Sequence, residues 1–432
     1  MFKVSRLLQL ILVGLMGLTL LVACGDSTPP LTPAPVPTLS PTNTPVPATA
    51  LPANNPGQRF GNPGASPNVE ILGGGSTLAD PIYNNWFTLY NNNISKNVKF
   101  TYQATSSGNG RSAFLGTPIT ATLSNGQRAS APLDFAGSDA AFTGDELVKA
   151  AQAKGEVVHI PIALGGVAIA YHLNGFTGEL RLSGTTLARI YLGQIKKWDD
   201  PTILAENPGQ EIRTAGAGKD IKPIIRQRGQ GSGTTEIFTR YLSAVSSEFR
   251  DQVGPGSSPK WLPALTLEGN SNEAIATQIT NTDGSLGYID LNAADKLSYA
   301  SIRNQTGRYI KPTAESITAA AQGLSIPDDF RIFVVNAEGE TAYPISGFTW
   351  LVTWRDFGKM PNPSQVKAEA MFNFLWWAIH DGQANLPKGF APLPVSLVPR
   401  LETLFVNNDT PCRTFLFNNK PLFGQALSGN CS

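Results

Sequence analysis

The 432-residue sequence predicts an α/β protein built on open, parallel-rich sheets. Three observations predict it. From Val69 onward, short apolar runs, glycine- and hydroxyl-rich turns and helical periods follow one another repeatedly. Those turns sit directly before helices, at Ser76-Thr77, Ser106-Ser107 and Ser232-Gly233-Thr234-Thr235, while Asp139 closes a fourth strand. The length allows roughly two or three domains with large cores.

The N-terminus is not part of this pattern. Residues 1–23 carry a short basic start (Lys3, Arg6), an apolar run over 7–22 and small residues ahead of Cys24, which is an export signal. The run is shorter than the ~20 residues a spanning helix needs. Leu21-Val22-Ala23-Cys24 resembles a bacterial lipobox. That resemblance implies cleavage before Cys24, its lipidation, and tethering outside the cytoplasmic membrane as the only membrane attachment. Residues 24–68 are rich in Pro and Thr, bury nothing, and form an extended spacer. Cys412 and Cys431 remain, an even pair in an exported chain, and a disulfide between them closes the tail 406–432. The alternative is two unpaired thiols.

The elements follow in order. Val69-Glu70-Ile71-Leu72 reads as a strand, and 80-DPIYNNWFTLYNNN-93 as a helix with Ile82, Trp86 and Leu89 on one face and Pro81 in its first turn. Next come a strand at 98–105 and another at 132–138, then a helix from Thr143 whose Glu146 completes a capping box. Strands follow at 157–173 and 221–227. The aromatic segment 371-MFNFLWWAIHDG-382 has helical spacing and reads as core rather than as a membrane or cofactor element.

Charge is balanced at +1, which gives no reason for a nucleic-acid partner. Three His and three Cys leave little material for a metal site or a Cys/His nucleophile, so neither metal nor cofactor is expected. His159, His172 and His380 read as structural. The turn 228-RGQGSGTT-235 is built for an anion: its glycines let N–H groups converge, a helix start adds its dipole, and Arg228 supplies a charged fork. It equally suits a plain helix entry. It lacks GxxxxGK[ST], GxGxxG and GxSxG, so nucleotide-loop and nucleophile-elbow chemistry do not apply. Asp139 among anion donors makes sense when the anion carries a proton for the carboxylate to accept. Hydrogen phosphate does; sulfate does not. The bland reading is a helix-entry cap.

Six stretches in order, 74-GGSTLADPIYNNW-86, 102-YQATSSGNG-110, 134-DFAGSDAAFT-143, 187-LARIYLGQIKKWDD-200, 228-RGQGSGTTEIFTRYL-242 and 285-SLGYID-290, resemble the phosphate-binding subunit of bacterial high-affinity phosphate ABC importers. The resemblance implies a two-lobed, type II periplasmic-binding-protein-like fold with two hinge crossovers, near 163–166 and 343–346. Lobe 1 is then 69–163 plus 344–405, and lobe 2 is 164–343. The site residues it implies are Thr77, the Leu78 amide, Ser107, Asp139 as acceptor of the ligand proton, Arg228 as charged contact, and Ser232, Gly233 and Thr234 as helix-end donors. Leu78 stands where Phe is usual, Gln230 replaces an aspartate that pairs with the binding arginine, and 112–132 reads as a surface insertion. The function implied is capture of inorganic phosphate by a non-enzymatic, monomeric solute-binding lipoprotein that serves an ABC permease. The alternatives are a binder of another oxyanion, or a phosphate sensor or phosphatase on the same fold.

Overall fold

The structure, a computed structural model, describes residues 69–122, 128–405 and 414–422. The export signal, Cys24, the spacer, Cys412 and Cys431 lie outside the described residues.

The first lobe starts as a strand–helix–strand–helix unit. Strand β1 (Val69–Gly75) pairs in parallel with β2 (Val98–Ala104) along its whole length, and α1 (Asp80–Asn93) connects them. Ile82 and Trp86 of α1 are fully buried and Leu89 partly so, as the helical period requires. After α2 (Ser107–Phe114), the insertion forms a hairpin of β3 (Ile119–Thr122) and β4 (Arg128–Ala131). Strand β5 (Phe135–Ser138) joins β1 in parallel, and α3 (Gly144–Ala153) opens on the expected capping box of Thr143 and Glu146.

Strand β6 (Val157–His172) is a 16-residue run buried along nearly all its length, and it belongs to both lobes. The second lobe adds β7 (Lys222–Arg226), α4 (Gly233–Val245), β8 (Leu267–Gly269), α5 (Asn272–Asn281), β9 (Ser285–Asp290) and β10 (Ser298–Tyr299). The chain returns through β11 (Ser346–Trp354), α6 (Gln365–Ile379) and β12 (Phe390–Ala391). One ten-stranded sheet results, in the order β2-β1-β5-β11-β6-β9-β7-β8, with β10 and β12 also on β6. β11 pairs with the first part of β6, up to Ser346↔Gly166, and β9 with the rest, from Asp290↔Val167. The two chain passages therefore lie side by side: Val167 N–H donates to Ile345 O at 2.9 Å and Tyr343 Oη to Val167 O at 2.7 Å. A continuous apolar strand buried on both faces is what a shared central strand requires.

Each lobe has its own aromatic core. In the first, Trp86 meets Trp377 of α6 edge-on at 5.8 Å, and Tyr83 stacks on Tyr102 at 4.4 Å. In the second, Phe238 stacks on Tyr288 at 4.4 Å, directly behind the Gly-rich turn. One stretch departs from the expected boundary. Residues 326–334 come from the second-lobe part of the sequence but pack on the first. Trp350 Nε1 donates to Phe330 O at 2.8 Å, and Arg400 Nη2 meets Asp328 at 2.8 Å.

Candidate anion-binding site

Four helices begin where strands end; serines cap three of them, and before α1 a serine holds the N-cap residue Ala79. Ser76 Oγ accepts from Ala79 N at 3.1 Å, Ser106 Oγ from Asn109 N at 3.1 Å, Ser232 Oγ from Thr235 N at 3.3 Å and Ser271 Oγ from Ala274 N at 3.0 Å. A helix leaves its first N–H groups without internal acceptors, so the starts of α1, α2 and α4 direct donors and positive dipole ends toward one region.

At its centre is Asp139, buried at the end of β5. Its Oδ2 accepts from Ser76 Oγ at 2.5 Å and from Ser107 Oγ at 3.2 Å, and its own N–H donates to Ser107 Oγ at 3.1 Å. Its Oδ1 is buried without a partner. Opposite stands Arg226, the last residue of β7 and only 2% exposed. Its Nη2 reaches Asn272 Oδ1 at 3.1 Å and Thr77 Oγ1 at 3.5 Å, while Nε and Nη1 are buried without partners. No carboxylate pairs with Arg226 among the described residues. An isolated buried guanidinium costs several kcal/mol, so this one is arranged for an anion.

The two walls touch. Gly108 N–H donates to Gly231 O at 2.9 Å, and Gly233 lies so close to Asp139 and Ser107 that only a hydrogen fits on its α-carbon. Leu78 packs its side chain toward Gly165 of the crossover strand, which leaves only its backbone to serve the site. Thr77, Leu78, Ser107, Asp139, Ser232, Gly233 and Thr234 thus all belong to the elements that converge here.

Arg228 does not. It sits two residues beyond the end of β7, on a turn where Gly229 takes φ 77°. Its guanidinium pairs with Glu268 and donates to Leu262 O at 2.9 Å and Leu265 O at 2.6 Å. The reason is strand pairing: β8 runs beside β7 with Glu268 opposite Ile225, from where its carboxylate reaches the turn and accepts from Arg228 N at 3.0 Å. Arg228 therefore clamps the 262–268 segment, and the arginine inside the cleft is Arg226. Gln230 is not its partner either, since Gln230 Oε1 has no hydrogen-bond partner. The sequence reading named Ser76 only as part of a strand-end turn, and it passed over Asn272, Asp290 and Thr349, which faces Asp139. The available signal for Arg226 was its position as the final residue of a strand that ends at the crevice.

Burial raises the carboxyl of Asp139, opposed by the hydrogen bonds from Ser76 and Ser107, by the nearby Thr349 hydroxyl and by the charge of Arg226. Burial lowers Arg226, opposed by Tyr288, Glu273, Asp290 and Asp139. Burial also pushes Asp290 up to about 7. His159, by contrast, is held down at about 3 by burial and accepts from Phe142 N, which is a structural role. Among the described residues no group of His, Cys, Asp and Glu is placed to hold a metal. A cavity of about 630 Å³ lies elsewhere, between residues 156–159 and 328–330, and its arginines are paired, Arg355 with Glu156 and Arg400 with Asp328.

The chain matches the PBP superfamily domain over residues 61–380. It is 33% identical over 348 residues to the phosphate-binding protein PstS of Xylella fastidiosa, covering 79% of this chain and 86% of that protein. To the phosphate-binding protein PstS of Methanocaldococcus jannaschii it is 32% identical over 315 residues, covering 69% and 76%. Among solved structures, a high-affinity periplasmic phosphate-binding protein, PfluDING, superposes with a TM-score of 0.62 at 22% identity, covering 79% of this chain and 95% of that one.

Proposed function

The chain belongs to the PBP superfamily and, within it, to the phosphate-binding proteins, and we propose that it captures inorganic phosphate between its lobes for delivery to an ABC importer permease. The observation that carries this reading is Arg226, buried, paired with no carboxylate among the described residues and facing Asp139 across converging helix starts. Arg226 supplies the charge. The Gly233 and Thr234 N–H groups and the hydroxyls of Thr77 and Ser232 supply donors, and Ser107 joins them when its hydroxyl turns from Asp139 to the ligand. Asp139 Oδ1 supplies the one acceptor, which suits an anion that brings its own proton. Sulfate would leave two acceptors facing each other, which costs about 1–3 kcal/mol or more.

Binding is by closure. The moving bodies are 69–163 with 344–405 and 164–343, with 326–334 travelling with the first, and the hinges are 163–166 and 343–346. Ligand contacts to both walls favour the closed state. The protein performs no bond-breaking chemistry and works as a monomer outside the cytoplasmic membrane, tethered through lipidated Cys24 on the 24–68 spacer, its tail joined by Cys412–Cys431.

The test is calorimetric titration with phosphate and with sulfate, repeated on Asp139→Asn. Phosphate is expected to bind far more tightly than sulfate. Asp139→Asn is expected to weaken phosphate by roughly 10- to 100-fold and to improve sulfate. Comparable affinities for the two anions in the unsubstituted protein would refute the reading.

A further inference from the structure

The aim of Arg226 needs a cause. Its backbone N–H is fixed by Tyr288 Oη at 3.0 Å, but a long flexible stem separates that anchor from the guanidinium. Besides the distant Thr77 hydroxyl, the side chain that meets the head is Asn272, through Oδ1 at 3.1 Å. Asn272 is fully buried at the first position of α5. Its Nδ2 donates to Asp290 Oδ2 and to Thr234 Oγ1 at 3.3 Å. Asp290, at the end of β9, is held in turn by Ala293 N at 2.9 Å.

This chain of bonds settles which way the amide faces. A guanidinium only donates, so the carbonyl must point at Arg226 and the NH2 at Asp290. We propose that Asn272, locked by Asp290, is the positioning residue for Arg226, aiming the guanidinium into the cleft without neutralising it. A carboxylate in the same place would aim the group equally well, but it would compete with the ligand for the charge. An amide offers a dipole and leaves the charge for the anion. Asp290 sits one residue further back, where its ionised form favours the charged state of Arg226 without touching it. The bond from Asn272 to Thr234 adds a second consequence: one side chain sets the spacing between Arg226 and the start of α4, two of the donors to the ligand.

This inference rests on the cleft being the phosphate site, and a double-mutant cycle separates the two. Inorganic phosphate is titrated into the full chain, Asn272→Ala, Arg226→Lys and the double variant. Asn272→Ala is expected to weaken phosphate roughly 10-fold or more on the native background. On the Arg226→Lys background it is expected to change affinity by less than about 2-fold, because its action runs through the arginine. Equal losses on both backgrounds overturn the positioning role alone; an unsubstituted chain that binds no phosphate overturns the functional reading. Asn272→Ser, which can still donate to Asp290 but is too short to reach Arg226, provides the same comparison should alanine disturb folding. A second readout needs no measurable affinity in the lysine variants. The Arg226 Nε–H resonance of the phosphate-saturated chain is expected to broaden in Asn272→Ala or Asn272→Ser, and an unchanged resonance overturns the proposal.

Discussion

A single methyl group at Gly233 would test whether closure of the cleft is the binding event. An alanine β-carbon there would lie 2.4 Å from Asp139 Cβ, 2.5 Å from Asp139 Oδ2 and 2.7 Å from Ser107 Oγ. Ordinary contact begins near 3.4 Å, so the walls must part by about 1 Å. Neither neighbour can swing aside without breaking the bonds among Ser76, Ser107 and Asp139. Within α4 itself the substitution is benign, since Gly233 is the first residue of the helix and does not take a positive φ. The opposing effects separate stability from function. A 1 Å gap stretches the ligand's hydrogen bonds to one wall past useful length. Losing two bonds to a charged ligand costs about 3 kcal/mol or more, roughly 100-fold in affinity. Calorimetric titration with phosphate measures the affinity, and small-angle scattering with and without phosphate measures the closure. The expected result is a protein that melts no lower than the parent, binds phosphate at least about 100-fold more weakly and stays expanded with ligand. Phosphate binding within about 3-fold of the parent would refute the geometry.

The two arginines should separate cleanly. Arg226→Ala is expected to cost at least about 100-fold in phosphate affinity through loss of a buried charged contact. Arg228→Ala should change affinity little and instead loosen the 262–268 segment, visible as faster amide exchange there; the reverse ranking would refute the assignment. Asp290 gives a pH signature. Its folded carboxyl lies near 7 against an ordinary 3.8, so the folded state holds this proton more tightly than the unfolded one. Its contribution to stability is therefore present below about pH 4, falls as pH rises and is lost above about pH 7, a change of roughly 4 kcal/mol at most. Denaturant unfolding of the ligand-free protein across that range should show the decline, and Asp290→Asn should flatten it. Parallel curves for the two proteins would refute the role of Asp290.

Legibility followed the range of the physics. The Thr143–Glu146 capping box, the α1 face and the long apolar run of β6 are local patterns, and each formed where the residues placed it. The turns after the strands were also readable, because glycine, serine and threonine before a helix have few other uses. Partners far apart in sequence were not. Asn272 and Asp290 look like an ordinary helix start and an ordinary strand end; only the sheet brings them to Arg226. Residues 326–334 read as part of the second lobe because chain order places them there, but Trp350 and Arg400 hold them on the first.

By itself, then, the sequence determined the α/β class, the strand-end turns and the presence of a carboxylate, Asp139, among them. These depend on hydrophobic period, on glycine and on the chemistry of side chains, all of which are written residue by residue. Which arginine would serve the cleft was decided by tertiary structure. Arg226 and Arg228 differ by two positions in the same basic stretch and have the same intrinsic chemistry. The end of β7 buries one of them, while pairing with β8 puts Glu268 beside the other. Among the described residues Arg226 has no carboxylate partner and its charge is left for an anion, whereas Arg228 has one and becomes a clamp.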